Sequence, residues 1–190
     1  MDFLEISRDA MLSRLDFPAH ICIPKIRVGA AIVRPGPRGD ETLIIKRSPG
    51  QGHYNFYEIP GGKMEDDDAT IRDAIIRMVA ELTSLEVIDI QHPLPPLLDI
   101  RQEALKGATG LDVIEGNMAE HDQIIKRPAV QLNYVVTVEG DGSDFKLNEK
   151  SHEMGVWARG DDAVGMNMEK NMRKIVEEAL CWTPALYGRW

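Results

Sequence analysis

Glu81 and its neighbours on one helical stretch are the residues of this chain best suited to proton chemistry. Residues 70–82 carry apolar side chains every three or four positions, which predicts an amphipathic helix. On a helical wheel Glu81 lies at the border of the apolar face, beside Met78 and Leu82. Removal from water raises the pKa of a carboxyl group toward the range useful for acid–base catalysis. We therefore predict that Glu81 is a proton carrier and that Met78 and Leu82 form an apolar wall against the substrate.

Further candidates come from the predicted strands. His152 is a second titratable side chain and a catalytic partner for that acid, although bracing of its strand would explain it as well. Gln131 and Asn133 share one face of the clearest strand and are expected to hydrogen-bond a substrate, whereas hydration at a sheet edge would explain the pair equally. Tyr57 is either a packing residue or part of the pocket wall.

An acidic loop precedes the helix at residues 65–68. Its charge favours the N-terminus of the following helix, and such a run is also able to bind a cation. Arg77 stands four residues before Glu81 and is also within reach of Asp68. Arg77 and Asp68 are therefore predicted to form a structural brace between the loop and the helix.

Composition indicates a single folded domain with a small-molecule partner. The chain has 190 residues, of which 43% are hydrophobic and 28% charged, as in ordinary globular proteins. Its formal net charge of −9 argues against a nucleic-acid backbone as partner. No apolar run approaches the roughly 20 residues that span a bilayer, so no membrane partner is expected.

The N-terminus and the cysteines predict a cytoplasmic protein. The first ten residues carry acids where a secretory signal needs a basic start and a long apolar stretch. Cys22 and Cys181 are far apart and have no metal-like spacing, as is usual in a reducing compartment.

The order of predicted elements indicates an α/β fold in one domain. Residues 1–24 form an N-terminal arm with a short helix, and residues 25–190 form the main domain. Residues 91–128 are long for a connection, and their prolines exclude regular structure at its start, with a helical turn expected around 100–105. We interpret this insertion as a lid or a partner surface. Strands are predicted at 28–33, 42–46, 55–59, 85–90, 130–138 and 154–158, and helices at 70–82 and 168–182, the latter capped by Asn167.

The stretch from Tyr57 to Leu85 resembles the Nudix box, G-x5-E-x7-R-E-U-x-E-E-x-G-U, where U is an aliphatic residue. Within that stretch, Glu58-Ile-Pro-Gly-Gly-Lys63 is similar to the strand and turn that open the box. Outside it, the hairpin of Val28–Val33 with Thr42–Arg47 and the segment Leu147-Asn-Glu-Lys-Ser-His-Glu-Met-Gly-Val-Trp157 are also similar to that family. The resemblance implies a Nudix-like α/β/α sandwich with a mixed β-sheet.

The box departs from the family pattern at the positions that bind metal. Arg77 and Glu81 are retained, but Met78 stands where the principal glutamate is expected and Leu82 replaces the second glutamate of the later pair. Ser84 replaces the glycine. The family's hydrolysis of diphosphates needs Mg²⁺, a hard ion held by carboxylate oxygens, for which a thioether and an isobutyl group are no substitute. The sequence therefore predicts no metal site and no cofactor.

Three functions follow from these observations. The first is a divergent Nudix-fold enzyme that acts by acid–base catalysis on a small, largely apolar organic molecule, through isomerisation, cyclisation or elimination. The second is a Mg²⁺-dependent hydrolase of a nucleoside diphosphate derivative or other organic diphosphate, if residues 65–68 rebuild a metal site. The third is a catalytically inactive binding or scaffold module. Homo-oligomerisation is left open by the sequence.

Overall fold

The computed structural model describes residues 3–15, 25–49, 55–105 and 123–182. These ranges contain strands interleaved with helices, as the sequence predicts. The helices are α1 (Arg8–Leu12), α2 (Ile71–Thr83), α3 (Gly160–Val164) and α4 (Lys170–Cys181). The strands are β1 (Lys25–Gly36), β2 (Gly39–Arg47), β3 (Tyr57–Glu58), β4 (Gly61–Lys63), β5 (Val87–Leu105), β6 (Gln123–Val138) and β7 (His152–Ala158). No helix within the described ranges is both long enough and apolar enough to cross a membrane.

A mixed sheet forms the centre of the molecule. Its strand order is β3-β2-β1-β6-β5, with β4 paired to β1 and β7 paired to β2. The β1–β6 pair is parallel, whereas β1–β2, β2–β7 and β5–β6 are antiparallel. One face packs against α2 and the other against α4, because alternate residues of each strand join two separate cores. The predicted α/β sandwich with a mixed sheet is confirmed.

Helix α2 begins and ends almost where the sequence predicts. Thr70 is its N-cap, and a capping box joins its hydroxyl to the backbone N–H of Asp73 and the Asp73 carboxylate to the Thr70 N–H. The helix ends at Ser84, which adopts the left-handed conformation with φ of 57°. A glycine would adopt this conformation at less cost. Ser84 adopts it as well, so the helix ends in the left-handed conformation although the glycine of the family pattern is absent.

The prediction that prolines exclude regular structure after residue 91 is wrong. Strand β5 continues through Pro93 and Pro95 and pairs antiparallel with β6 as far as Leu105. The pairing register shifts between Ile90 and His92 and again between Leu94 and Leu97, so bulges absorb the prolines. β5 is also an edge strand of the described sheet, where a missing N–H is tolerated. The helical turn expected around residues 100–105 is likewise wrong, because these residues pair with β6. Residues 106–122 lie outside the described residues, and the lid role stays a prediction.

The prediction that Asn167 caps the C-terminal helix is wrong. α4 begins after Glu169 rather than after Asn167. The Asn167 side chain donates instead to the Asn55 carbonyl at 3.1 Å, and its own carbonyl accepts from the Tyr57 N–H at 2.8 Å. Asn167 therefore fixes the approach to β3 rather than the start of the helix. The short helix α3 was not predicted.

The N-terminal arm packs against the start of α2. The structure describes residues 3–15 of this arm. Its Leu4 and Met11 are buried in the core that α2 covers, as expected from their apolar character. The carbonyl oxygens of Leu4 and Ile6 accept hydrogen bonds of 3.0 Å from the first backbone N–H groups of the helix. These donors have no partner within a helix, so the arm completes the N-terminal end of α2.

We expect Leu4→Ala to lower the free energy of unfolding by about 2–5 kcal/mol, the usual cost of a cavity left by a deleted leucine side chain. Val164→Ala is the control, because Val164 is exposed. Urea unfolding of both variants measures the difference. Equal, small effects from the two substitutions would show that the arm is not part of the folded core.

Candidate active site

A cleft of about 100 Å³ opens on the α4 face of the sheet. Most pockets for drug-sized ligands hold roughly 300–1,000 Å³, so this cleft encloses one ring or one polar group while the rest of a larger ligand lies outside. Five strands and α4 supply the walls. The lining includes Arg27, Arg47, Tyr57, Glu58, Leu97, Gln131 and Met172.

A half-buried carboxylate, Glu58, forms part of the cleft. Arg47 donates two hydrogen bonds to it, from Nε at 2.6 Å and from Nη2 at 2.7 Å. The Nε2 atom of His152 lies 3.6 Å from the same carboxylate, and its Nδ1 lies 2.9 Å from the Ser151 hydroxyl. Three separate strands therefore converge on Glu58.

A β-bulge brings these side chains together. Lys46 pairs with Met154 and Arg47 with His152, so Glu153 has no partner in the β2–β7 register. The extra residue changes the direction of the strand at this point, as bulges commonly do beside functional sites. Without it, the alternation of β7 would not bring His152 level with Arg47.

The environment of Glu58 keeps it ionised. Burial by itself would raise the pKa of the Glu58 carboxyl, but the contacts from His152 and Arg47 outweigh it and hold the pKa below its ordinary value. A ligand in the cleft would thus meet a fixed negative charge that is itself paired with a cation. Sequence reasoning did not select Glu58 or Arg47. The available signal was the opposite charge of Arg47, the last residue of β2, and Glu58, in the strand that follows it.

Gln131 and Asn133 lie on the predicted strand face, but only Gln131 reaches the cleft. Asn133 is 1% exposed and donates to the Pro95 carbonyl at 2.8 Å, while its side-chain oxygen accepts from Gln131 at 2.8 Å. The two amides fill the space beside Gly29, where a Cβ atom would lie 2.3 Å from the Asn133 oxygen. The expectation that Asn133 contacts substrate is corrected, because its hydrogen bonds are used inside the sheet. Gln131 stays a predicted substrate contact.

Tyr57 lies on the cleft wall, in agreement with one of its two predicted roles. It is half-buried, and its hydroxyl lies 3.7 Å from the Met154 sulfur. One side of the ring is therefore packed while the residue still borders the cleft.

Met78 and Leu82 do not form the wall that the helical wheel indicates. Met78 is 2% exposed and belongs to the core between α2 and the sheet, where its Cγ would lie 3.0 Å from a Cβ added at Gly62. Leu82 packs against the same core. This core and the cleft lie on opposite faces of the sheet, so the apolar side of α2 supports the fold instead of a pocket.

The expected desolvation of Glu81 is also corrected. Its side chain is 58% exposed and accepts a 3.0 Å hydrogen bond from Arg77. A position at the edge of the apolar arc still faces water, because the core ends at Leu82. His152, its proposed catalytic partner, contacts Glu58 instead.

Arg77 and Asp68 make the contact that the sequence predicts. Arg77 donates to both Asp68 oxygens, at 2.8 and 2.7 Å, and to the Lys63 carbonyl at 3.0 Å. The Glu65 N–H donates to the same carboxylate at 2.7 Å. These hydrogen bonds, chiefly those from Arg77, hold the pKa of the Asp68 carboxyl below its ordinary value.

Two acids of the box region, Asp68 and Glu81, are paired with Arg77. Both oxygens of Asp68 are engaged by Arg77, and Glu81 is paired with the same arginine. The remaining positions hold a buried thioether and an isobutyl group, neither of which is a ligand for a hard cation. Within the described part of the chain, no group of three His, Cys, Asp or Glu side chains is arranged to hold a metal.

Comparison with known proteins identifies the family. The sequence model of the NUDIX domain matches residues 24–185. The NUDIX domain of Shewanella oneidensis NrtR, complexed with ADP ribose, has a similar fold, with a TM-score of 0.59 and 16% identity over 92% of this chain and 97% of that chain. A MutT NUDIX hydrolase from Burkholderia pseudomallei has a TM-score of 0.54 and 20% identity over 81% of this chain and 96% of that chain. No curated protein matches the chain in sequence. This chain belongs to the NUDIX family.

We expect Glu58→Gln to lower the free energy of unfolding near neutral pH by about 1–3 kcal/mol, because it removes the charge that accepts two hydrogen bonds from the half-buried Arg47 guanidinium. The pH dependence should change as well. The folded-state pKa of Glu58 lies below its ordinary value of about 4.5, so its stabilising effect is present above that value and lost as the pH falls through the folded pKa. The variant should lack this part of the acid-induced loss of stability.

Urea unfolding at a series of pH values tests this expectation. Glu153→Gln is the matched control, since its ion pair with Lys46 is partly exposed and should contribute less than about 1 kcal/mol. If the two variants lost the same stability and kept the same pH profile, Glu58 would not be the charge on which this region depends.

Proposed function

We propose that this NUDIX-family protein binds a nucleotide-derived small molecule in the cleft on the α4 face of its sheet, without a metal ion. The observation that carries this proposal is the paired carboxylate of Glu58 beside the amide of Gln131 at the cleft. Both groups are held in place by other side chains, as a binding site requires.

The chemistry of the walls favours a planar heterocycle. Phe56, Tyr57, Leu97 and Met172 offer apolar and aromatic surface. The side-chain amide of Gln131 has a donor N–H and an acceptor oxygen, which match the donor and acceptor groups on the edge of a nucleobase. A cleft of about 100 Å³ suits one such ring, with a sugar and further groups outside it.

The NrtR NUDIX domain was solved with ADP ribose. This complex supports ADP ribose as the first probe for this chain. Adenosine and AMP then separate the contributions of the ring and of the phosphate.

The lowered pKa of Glu58 and the exposed, paired position of Glu81 favour binding over turnover. Hydrolysis of a diphosphate in this family would need a metal, and Asp68 and Glu81 of the box region are paired with Arg77. Glu58 is a weak base near neutral pH because its pKa is lowered. Glu81, the acid that the sequence favours as a proton carrier, is exposed and paired with Arg77.

A second function is metal-independent acid–base turnover of a small organic molecule, through isomerisation, cyclisation or elimination. One contact favours it, the 3.6 Å approach of His152 to the Glu58 carboxylate at the cleft. In that case Glu58, which lines the cleft, would move the proton, and His152, whose two ring nitrogens face Glu58 and Ser151, would position that carboxylate.

Calorimetric titration with ADP ribose in the presence of EDTA tests the proposed function. We expect binding to the wild-type protein and about tenfold weaker binding to Gln131→Leu, because a hydrogen bond to the ring is lost. Gln91→Leu makes the same chemical change at an exposed position of β5 and should bind normally. Absence of binding by ADP ribose, AMP and adenosine would refute the proposal, and Mg²⁺-dependent release of AMP would restore the hydrolase function.

Product analysis of the same mixtures separates binding from acid–base turnover. We expect the recovered ligand to be unchanged. If a metal-independent product forms, Glu58→Gln should reduce its rate by about 10²–10⁴-fold, the usual contribution of a proton carrier, and His152→Gln should reduce it less. Glu81→Gln should leave that rate unaltered, since Glu81 is exposed and not at the cleft. A loss of rate in Glu81→Gln alone would return the catalytic role to the acid of the box.

A further inference from the structure

We infer that Asn133 is a positioning residue that holds the side-chain amide of Gln131 in one orientation, so that the cleft selects a ring by the order of its donor and acceptor groups. This arrangement of the two amides is called the amide lock below. The inference rests on the proposed function, because Gln131 is there the group that meets the ring. It adds a selectivity between rings of the same size that differ only in that order.

The amide lock starts at a proline bulge in the edge strand β5. The pairing register with β6 shifts between Leu94 and Leu97, so Pro95 lies within the bulge. The Pro95 carbonyl accepts a hydrogen bond of 2.8 Å from the Asn133 side-chain nitrogen. A backbone group of one strand is thereby joined to a side chain in the interior of the sheet.

The Pro95 carbonyl determines which end of the Asn133 amide faces it. A carbonyl oxygen accepts hydrogen bonds and does not donate them, so the facing atom of Asn133 must be the nitrogen. The same nitrogen lies 3.4 Å from the backbone carbonyl of Gln131, a longer contact of the same polarity. Asn133 is only 1% exposed, so rotation of its amide would lose these hydrogen bonds without replacement by solvent.

The orientation of Asn133 passes to Gln131 through one contact. The Asn133 side-chain oxygen accepts a 2.8 Å hydrogen bond from the Nε2 atom of Gln131. Rotation of the Gln131 amide would bring two oxygen atoms to this distance, where both are acceptors and repel each other. At its other end, the Gln131 side-chain oxygen accepts from the Arg27 Nε atom at 3.4 Å, which agrees with the same orientation.

Gln131 keeps one donor and one acceptor for a ligand. A primary amide has two N–H donors and an oxygen with two lone pairs. Asn133 takes one donor and Arg27 takes one lone pair, and no other side-chain hydrogen bond of Gln131 is made among the described residues. A glutamine without such partners would rotate to suit either order of groups on a ring. The amide lock removes this freedom and fixes the two positions.

Gly29 leaves the space in which the two amides meet. It is the register partner of Asn133 on the parallel strand β1. A Cβ atom at Gly29 would lie 2.3 Å from the Asn133 oxygen and 2.7 Å from the Gln131 nitrogen, the two atoms of the central hydrogen bond. A side chain at this position would therefore push the amides apart, and glycine is required for the lock to form.

Adenine and hypoxanthine differ in the property that the amide lock reads. Adenine carries an amino donor beside a ring nitrogen that accepts, whereas hypoxanthine carries a carbonyl acceptor beside a ring N–H that donates. The two rings are almost equal in size, so an apolar wall alone separates them poorly. A fixed amide that meets the wrong order leaves its donor and acceptor unpaired, and a site rejects such a ligand strongly. Adenine is the expected ring, because ADP ribose is the probe of the proposed function.

Titrations with adenosine and inosine test the inference. We expect the wild type to bind adenosine at least about tenfold more tightly than inosine, as one mispaired hydrogen-bonding edge implies. Asn133→Ser should reduce this ratio to about twofold or less, because a hydroxyl both donates and accepts and lets Gln131 rotate. Gly29→Ala should reduce it as well, by separating the amides.

Leu4→Ala is the control for a general loss of stability. It destabilises the core on the other face of the sheet and should keep the preference for adenosine. Thermal melts set a temperature at which every variant is folded. If the wild type binds both nucleosides equally, or if Asn133→Ser keeps the wild-type ratio, the inference is wrong, although binding of adenosine would still support the proposed function.

NMR of the ligand-free protein tests the amide lock without a ligand or a variant. Because the Gln131 Nε2 atom lies 2.7 Å from the position of a Cβ on Gly29, its protons should show a strong nuclear Overhauser effect to the Gly29 α protons. Absence of this effect would show that the amide is rotated or mobile, and it would overturn the inference. If ADP ribose, adenosine and inosine all fail to bind, the proposed function is refuted, and the Overhauser effect decides whether the lock exists.

Discussion

The half-buried ion pair of Arg47 and Glu58 is the interaction on which the site depends. Strand β3 has only two residues, and their register pairs with β2 are too few to fix it firmly. The bidentate contact adds two charged hydrogen bonds at the same point, and His152 brings in β7. Because β3 leads directly into the turn before β4, its position also sets where that strand begins. One carboxylate thus organises the floor of the cleft.

The period of two in β-strands divides the molecule into a supporting face and a binding face. On β6, Leu132, Tyr134 and Val136 pack under α2, whereas Gln131 and Asn133 point to the α4 side. The hydrogen bonds of Asn133 hold the interior of the sheet together beside Gly29, so Gln131 is the member of the pair that lines the cleft. A polar pair in one strand therefore has two roles, which depend on the depth of each residue in the sheet.

Local signals in the sequence predict most of the helices and strands, but they do not predict the site. The capping box at Thr70 and the periodicity of α2 are short-range features, so the helix was predicted within one residue. The long β5–β6 hairpin was missed because register shifts, which depend on the partner strand, accommodate the prolines. Glu58 was missed because its partners lie on β2 and β7, far away in the sequence. The helical wheel placed Met78 correctly on the inner face but gave no information about what covers that face.

The ion pairs of Arg77 determine what the acids near α2 are able to do. Carboxylates beside a phosphate would repel it unless a divalent ion lay between them. Asp68 and Glu81 are both paired with Arg77, and Met78 is buried in the core. On the other face of the sheet, Arg47 and Glu58 pair with each other at the cleft. The charges of these acids are therefore fixed by partners within the protein on both faces of the sheet.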